Sequence, residues 1–369
     1  MKELIKFLRL DRQYSNLKKE ILPAIDRILS AGKVLQSVEI ENLENEVSKN
    51  KVPFAVAVNS GTDALIFALN AAGIKHGDRV AVTSLSFIAT AASIVHAGGV
   101  PVFVDISPDS YLMDMEQVHH LIDKNKINGV VVVHIYGQML DIRELYEKTQ
   151  KKGIFLIEDA AQCLGATCHT YHPGNYSDAA CISFDPTKVV GAYGSGGMVL
   201  TNRQDVYEKV KKLRYHGQQR AQEYEIVGFN SQLHSIQAEI LKIKLKHMTE
   251  WEKRRRKIAQ DYQSQLKKIN NIKLPYELSE HKHIYHKFVI QTEERNKLAE
   301  SLLAEKIETA IHYRLPLFRQ NNMQPYFLKE YNSYKVNQIV QKIISLPIYP
   351  ELTNEEVQYI CKKIIEFYL

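Results

Sequence analysis

The residues best suited to chemistry lie between Phe155 and Asn202. An apolar run at 155–157 ends in the acidic pair Glu158 and Asp159. A second run at 179–182 ends in Ser183. A single lysine, Lys188, follows in a turn with Pro186 and Thr187, and Gly191, Gly194, Gly196 and Gly197 lead into a last apolar run at 198–201. A carboxylate at one strand end and a lysine after another can meet at the carboxyl edge of a parallel sheet, where open α/β sheets bind ligands. Such a pair suits pyridoxal phosphate: a lysine forms the Schiff base, and an acid keeps the pyridine nitrogen protonated so that the ring accepts electrons. Taken alone, these two residues leave a plainer reading open, in which Lys188 is solvated and Asp159 caps the next helix.

The elements that must position them follow an α/β alternation. A strand at 54–58 runs into Asn59-Ser60-Gly61-Thr62-Asp63 and then a helical run at 64–72. A helix start after a small-residue turn favours an anion, through free N–H groups and the helix dipole. Gly61 permits close approach and Thr62 offers a hydroxyl, although the same residues also make an ordinary N-cap. Strands are expected at 79–83, 101–104 and 129–133, and helices at 88–96, 115–123 and 141–151. Phe87 stands after the first of these strands, placed either to cover a ring at the sheet edge or to fill the core. Near-continuous apolar strands between helices predict a parallel sheet covered on both faces. Residues 15–50 read as helical with a break near Gly32. A long helical run at 232–266 leads to strands at 287–290 and 309–312 and helices at 295–306 and 354–367, the last started by Thr353. The expected fold class is α/β. A large domain over 1–246 holds a mostly parallel sheet flanked by helices. The linking helix and a small C-terminal α+β domain occupy 247–369, and the N-terminal helix packs on the small domain.

Composition bounds the function. The chain has 369 residues, 45% hydrophobic and 24% charged, with net charge +6. This is the balance of a globular enzyme, not of a disordered or fibrous chain. The basic cluster at 253–257 falls in a helical stretch and reads as a solvated face, so no nucleic acid is expected. Cys163, Cys168, Cys181 and Cys361 match no zinc or redox spacing, which points to a reduced, cytoplasmic compartment. The best apolar run, 88–104, is broken by His96, Gly98, Gly99 and Pro101, so no membrane span is expected. Residues 1–14 lack the core of a signal peptide. The histidines at 119–120 and at 281 and 283 read as surface groups, and no metal is expected. Gly194–Gly197 open a strand rather than a helix, which removes the dinucleotide fingerprint.

The segments VNSGTDAL, SFIATA, GGVPVFVDISPDSY, VHIYGQ, LIEDAAQ, SFDPTKVVGAYGSGG, LRYHGQ, GFNSQL and SLPIYPEL occur in order from residue 58 to residue 352. With them the chain resembles the DegT/DnrJ/EryC1/StrS family of sugar aminotransferases, pyridoxal-phosphate enzymes of the aspartate-aminotransferase fold, type I. The resemblance implies that Lys188 carries the cofactor, Asp159 pairs with the pyridine nitrogen and Gln162 lies beside the ring. It places Gly61, Thr62 and Ser183 on the phosphate, with Phe87 stacked on the ring. Asn230 is implied to reach the phosphate of a neighbouring subunit, so the active unit is a homodimer. The implied reaction moves an amino group from L-glutamate, leaving 2-oxoglutarate, to a nucleotide-linked keto sugar. KVVGAYGSGG resembles members that aminate C3, with a dTDP- or UDP-linked 3-keto-6-deoxy sugar as substrate. The alternatives are amination at C4, a sugar dehydratase and a non-catalytic regulatory protein. Gln232 stands where arginine is common, and Arg314 follows His312 and Tyr313 where proline is frequent. These departures bear on substrate binding, to which His312 and Tyr313 are assigned.

Overall fold

The computed structural model describes residues 3–326 and 334–369. Two helices, α1 (Leu10–Ala31) and α2 (Val38–Ser48), precede the sheet. Gly32 makes the break between them. Its φ of 66° closes α1 in the left-handed region, and its N–H bonds the Leu29 carbonyl, as glycine does at helix ends. Leu17, Ile21 and Ala24 pack α1 against Ile240, Ile243 and Trp251 of the 32-residue helix described below.

Eight strands follow in the first part of the chain: β1 (Phe54–Val58), β2 (Arg79–Thr83), β3 (Val100–Val104), β4 (Gly129–Val133), β5 (Phe155–Asp159), the short β6 (Thr167–Cys168), β7 (Ala179–Ser183) and β8 (Gly197–Thr201). All but β6 form one sheet in the order β1-β8-β7-β5-β4-β2-β3. The pairs β2–β3, β2–β4, β4–β5 and β5–β7 are parallel. β8 runs antiparallel to both β1 and β7. The turn at 184–196 holds no crossover helix, and without one a strand can only return antiparallel. Gly197 therefore starts β8 at the edge where β1 and β7 end. Strands β4, β5, β7 and β8 are buried along their whole length, as their unbroken apolar runs require.

The flanking helices are α3 (Gly61–Ala71), α4 (Ile88–His96), α5 (Met115–Asp123), α6 (Arg143–Lys152) and α7 (Gln204–Arg214). α3 begins three residues before its apolar run. The Ser60 hydroxyl caps it by accepting from the Asp63 N–H at 3.0 Å, so Gly61 and Thr62 belong to its first turn. Two of the small pairs outside the main sheet are β9 (Gln218–Arg220) with β10 (Glu223–Tyr224), and β6 with β11 (His281–Lys282).

Helix α8 (Ser235–Leu266) leads to β12 (Phe288–Gln291), which pairs antiparallel with β13 (Ile343–Leu346). Helices α9 (Arg295–Ala304), α10 (Tyr334–Lys342) and α11 (Asn354–Tyr368) complete this part. The strand expected at 309–312 is only a single bridge, Ala310 to Ser345. Thr353 starts α11 with a full capping box to Glu356, satisfying two end groups reciprocally. Tyr262, Phe288, Leu298, Tyr349 and Ile360 form the core here. The four cysteines are buried and free. Among the described residues, no helix is long and apolar enough to cross a membrane.

Candidate active site

Asp159 ends β5 and is 6% exposed. Its Oδ2 accepts from the Thr90 hydroxyl at 2.6 Å, and its Oδ1 from the Ala161 N–H at 3.2 Å. Thr90 spends its proton on Asp159, so its 2.8 Å contact with Ser86 has Ser86 as donor. Burial pushes the Asp159 carboxyl pKa up. The Thr90 and Ala161 donors and the charge of Lys188 oppose that.

Lys188 sits half-buried in the turn between β7 and β8, its N–H bonded to the Asp185 carbonyl at 2.9 Å. Among the described residues its Nζ makes no hydrogen bond. Burial lowers its pKa, with Asp159 and Asp185 pulling the other way. An amine held this way is a better nucleophile and base at neutral pH than a solvated lysine.

Gln162 joins this edge to the C-terminal part. Its Oε1 accepts from the Tyr136 N–H at 2.7 Å, and its Nε2 donates to the Tyr313 hydroxyl at 3.3 Å. Tyr136 adopts a φ of 59° and donates its hydroxyl to the His312 carbonyl. His312 contacts the Ser345 hydroxyl through Nδ1 at 2.8 Å and stacks on Phe7 at 5.6 Å. Burial, with Lys287 and Lys188 nearby, pushes its pKa down to about 3, so the ring is neutral. Phe87 is 53% exposed and tilts against Tyr313 at 6.2 Å.

Backbone approaches backbone at the start of α3. A Cβ on Gly61 would stand 2.7 Å from Ser183 Cβ. A Cβ on Gly197 would stand 2.2 Å from the Ser60 carbonyl oxygen and 2.7 Å from the Gly61 nitrogen. The Ser183 hydroxyl accepts from the Asp185 N–H at 3.2 Å. Thr62 follows in the same first turn.

Direct contacts thus connect Gln162 to Tyr313, Tyr313 to Phe87 and Gly61 to Ser183, and charge couples Lys188 to Asp159. Asn230 is different. It is exposed, bridged to Tyr215 and in contact with Gln232. Its neighbour Ser231 is buried, donating to Asp63 at 2.7 Å and accepting from the Asn59 N–H at 3.1 Å.

Glu158, the other half of the acidic pair, faces away into a structural network. The His134 Nδ1 accepts from the Leu140 N–H at 3.0 Å, so its Nε2 carries the proton and donates to Glu158 at 2.7 Å. Glu158 also accepts from the Gly174 N–H at 2.8 Å and the Ser177 hydroxyl at 2.5 Å. Elsewhere, Asp141, Cys168 and His169 come together. Arg143 donates to both Asp141 and His169 at 2.8 Å, so a guanidinium already supplies the positive charge there.

Comparison with known proteins follows the same lines. The DegT/DnrJ/EryC1/StrS aminotransferase family matches residues 15–365. A protein of Geobacillus stearothermophilus named pleiotropic regulatory protein is 35% identical, covering 99% of this chain and 98% of its own length. The UDP-N-acetyl-3-dehydro-alpha-D-glucosamine 3-aminotransferase of Acidithiobacillus ferrooxidans is 33% identical over 96% of this chain and 95% of its own. Among solved structures, S. venezuelae DesV in complex with a ketimine intermediate superposes with a TM-score of 0.96 at 32% identity, covering 100% of this chain and 99% of DesV. The chain belongs to the DegT/DnrJ/EryC1/StrS aminotransferase family.

Proposed function

We propose that this chain is a pyridoxal-phosphate aminotransferase that moves an amino group from L-glutamate to a nucleotide-linked keto sugar, at C3 of a dTDP- or UDP-linked 3-keto-6-deoxy sugar. The observation that carries the reading is the pairing of half-buried Lys188, whose Nζ makes no hydrogen bond among the described residues, with buried Asp159. They are electrostatically coupled beside a helix start packed too tightly for any side chain at Gly61.

These residues fit the cofactor's three parts. Lys188 supplies the amine for its aldehyde, and Asp159, braced by Thr90, suits its pyridinium nitrogen. The first turn of α3 with Gly61, Thr62 and Ser183 suits its phosphate, as N–H groups at helix starts suit anions generally. Phe87 and Gln162 would border the ring. When bound, pyridoxal phosphate supplies an electron sink for the pair left behind as the donor's α-proton departs.

The chain's own work is proton transfer and positioning. Lys188, its pKa lowered by burial, would take the proton from the donor's α-carbon as a general base, deliver it to the cofactor's C4′ carbon, and carry out the reverse transfer in the acceptor half-reaction. Asp159 would hold the ring nitrogen's proton; burial raises its pKa, and the Thr90 and Ala161 donors and the charge of Lys188 oppose that rise. His312 and Tyr313, linked through Tyr136 and Gln162, would meet the sugar. The exposure of Asn230 supports its service to a second copy in a homodimer.

The C3 position is supported by the 3-aminotransferase among the relatives, with C4 as the alternative. The regulatory name of another relative supports a second reading, a protein that kept the fold without turnover. An absorption spectrum separates the two. The purified protein should show a visible cofactor band that L-glutamate shifts to the near ultraviolet, and Lys188→Ala should abolish it. A protein that never takes up the cofactor sinks the aminotransferase reading. An unchanged KM for the keto sugar in His312→Ala removes His312 from substrate binding.

A further inference from the structure

We propose that Lys287 recognises a substrate carboxylate beside the reacting lysine, either the amino donor's own or that of an acidic sugar. The inference rests on the aminotransferase reading, and its acidic-sugar branch would replace the 6-deoxy sugar named above, which carries no carboxylate. Lys287 directly precedes β12, and its backbone N–H bonds the Tyr136 carbonyl at 3.2 Å. The same tyrosine reaches His312 with its hydroxyl. The Lys287 ammonium lies 5.0 Å from the centre of the Phe7 ring, and Phe7 stacks on His312 at 5.6 Å. One face of the ammonium therefore rests on an aromatic ring, a contact that consumes none of its three N–H donors. Among the described residues, its Nζ makes no hydrogen bond and no ion pair.

The local charge is one-sided. Lys188 and Arg255 both act on Lys287 as like charges, and the acid that acts on it is Asp185. Asp185 is already engaged, accepting from the Thr187 N–H at 2.9 Å and the Thr187 hydroxyl at 2.5 Å. His286 and His312 are kept neutral by burial. Burial pushes Lys287 itself down to about 7. A partly desolvated, unpaired ammonium is costly, and an anion docking against it would relieve the cost and restore its charge.

The geometry favours a carboxylate. The donor's α-carboxylate is one carbon from its reacting amine, so it arrives near Lys188 whenever the amine does. A sugar carboxylate borne on C5 stands next to C4 and two positions from C3. A nucleotide diphosphate hangs from C1, across the ring from C4 and two positions from C3, and its charge is set one bond further out by the anomeric oxygen.

The test uses the cofactor-loaded wild type, K287M and the neutral, polar K287Q. The visible band is followed in a single half-reaction against L-glutamate, and glutarate, which has carboxylates but no amine, is titrated by calorimetry. Losing a charge-assisted contact should raise half-saturation about tenfold or more, leave the limiting rate within about threefold and weaken glutarate equally. In a second arm, keto sugars with and without a ring carboxylate are compared in the return half-reaction. A rise confined to the acidic sugar assigns the site to the sugar and upholds the proposal. Unchanged saturation in both arms for either folded variant overturns it. Failure of the wild type to respond to glutamate overturns the aminotransferase reading instead, and Lys287's role with it, and is seen before any variant is made.

Discussion

Gly197→Ala tests the architecture of the site most sharply. The added methyl carbon would begin 2.2 Å from the Ser60 carbonyl oxygen and 2.7 Å from the Gly61 nitrogen. Both obstacles are backbone, so no side chain can swing aside. Restoring ordinary contact requires the start of α3 to move by about 1 Å, and overpacking of this kind costs about 1–3 kcal/mol of stability. The same shift moves the N–H groups proposed to hold the cofactor phosphate out of hydrogen-bond range. Losing one charge-assisted bond, about 1.5–3 kcal/mol, weakens cofactor binding about 10- to 140-fold. The assay is a pyridoxal-phosphate titration of the cofactor-free protein, followed by the visible band, alongside a thermal melt. Gly77→Ala is the control: nothing lies within 4 Å of its added carbon, but its φ of 83° strains a side chain. It should lower stability by about 1 kcal/mol with cofactor affinity unchanged. Cofactor affinity in Gly197→Ala within threefold of wild type would refute the placement of the phosphate at this backbone junction.

Thr90→Val removes the 2.6 Å donor to Asp159 with little change in shape. The half-reaction with L-glutamate should slow about tenfold or more, checked by stopped-flow absorbance. Glu158→Gln sets amide protons against the donors of His134, Gly174 or Ser177. It should cost about 2–4 kcal/mol of stability in a denaturant melt while leaving the cofactor band in place. Lys244 is fully buried, donates to the Gly191 carbonyl at 2.6 Å and has its pKa lowered by burial to about 8. The unfolded chain binds that proton more tightly, so its contribution to stability rises with pH from about 8 to about 10.5. Melting of the wild type should therefore gain more between pH 8 and pH 10 than melting of Lys244→Met, and equal gains would remove Lys244 as the source.

The strands around the site were legible because they are buried on both faces, so runs such as GVVVV at 129–133 carry no ambiguity. Asp159 was legible as a carboxylate at a strand end, and Lys188 as a lone lysine in the turn after another strand. The start of α3 was not, because Gly61, Thr62 and Asp63 carry no apolar period, and the Ser60 cap decides the boundary. The direction of β8 was not, because direction belongs to the connection rather than to the strand. β13 escaped notice because residues 343–346 follow α10 with no turn residue between them. The contacts of Thr90, Tyr136 and Lys287 were not legible, although Thr90 and Tyr136 lie within the segments SFIATA and VHIYGQ. Thr90 acquires its role from a carboxylate 69 positions away, and Tyr136 from a carbonyl 176 positions away.

The reversed strand also has a consequence for the order of assembly. β7 and β8 are a local hairpin, able to form with little loop-closure cost, and they carry the Lys188 turn. β1 pairs Phe54 with Thr201, a contact that must wait for most of the chain to collapse. The two halves of the proposed cofactor seat, the lysine turn and the first turn of α3, therefore belong to early and late parts of folding. A ligand touching both acts as a clasp on the last strand to dock, and its binding energy adds to the hold on that edge. Amide exchange in β1 should slow selectively when the cofactor is supplied, while exchange in β4 and β5 changes least.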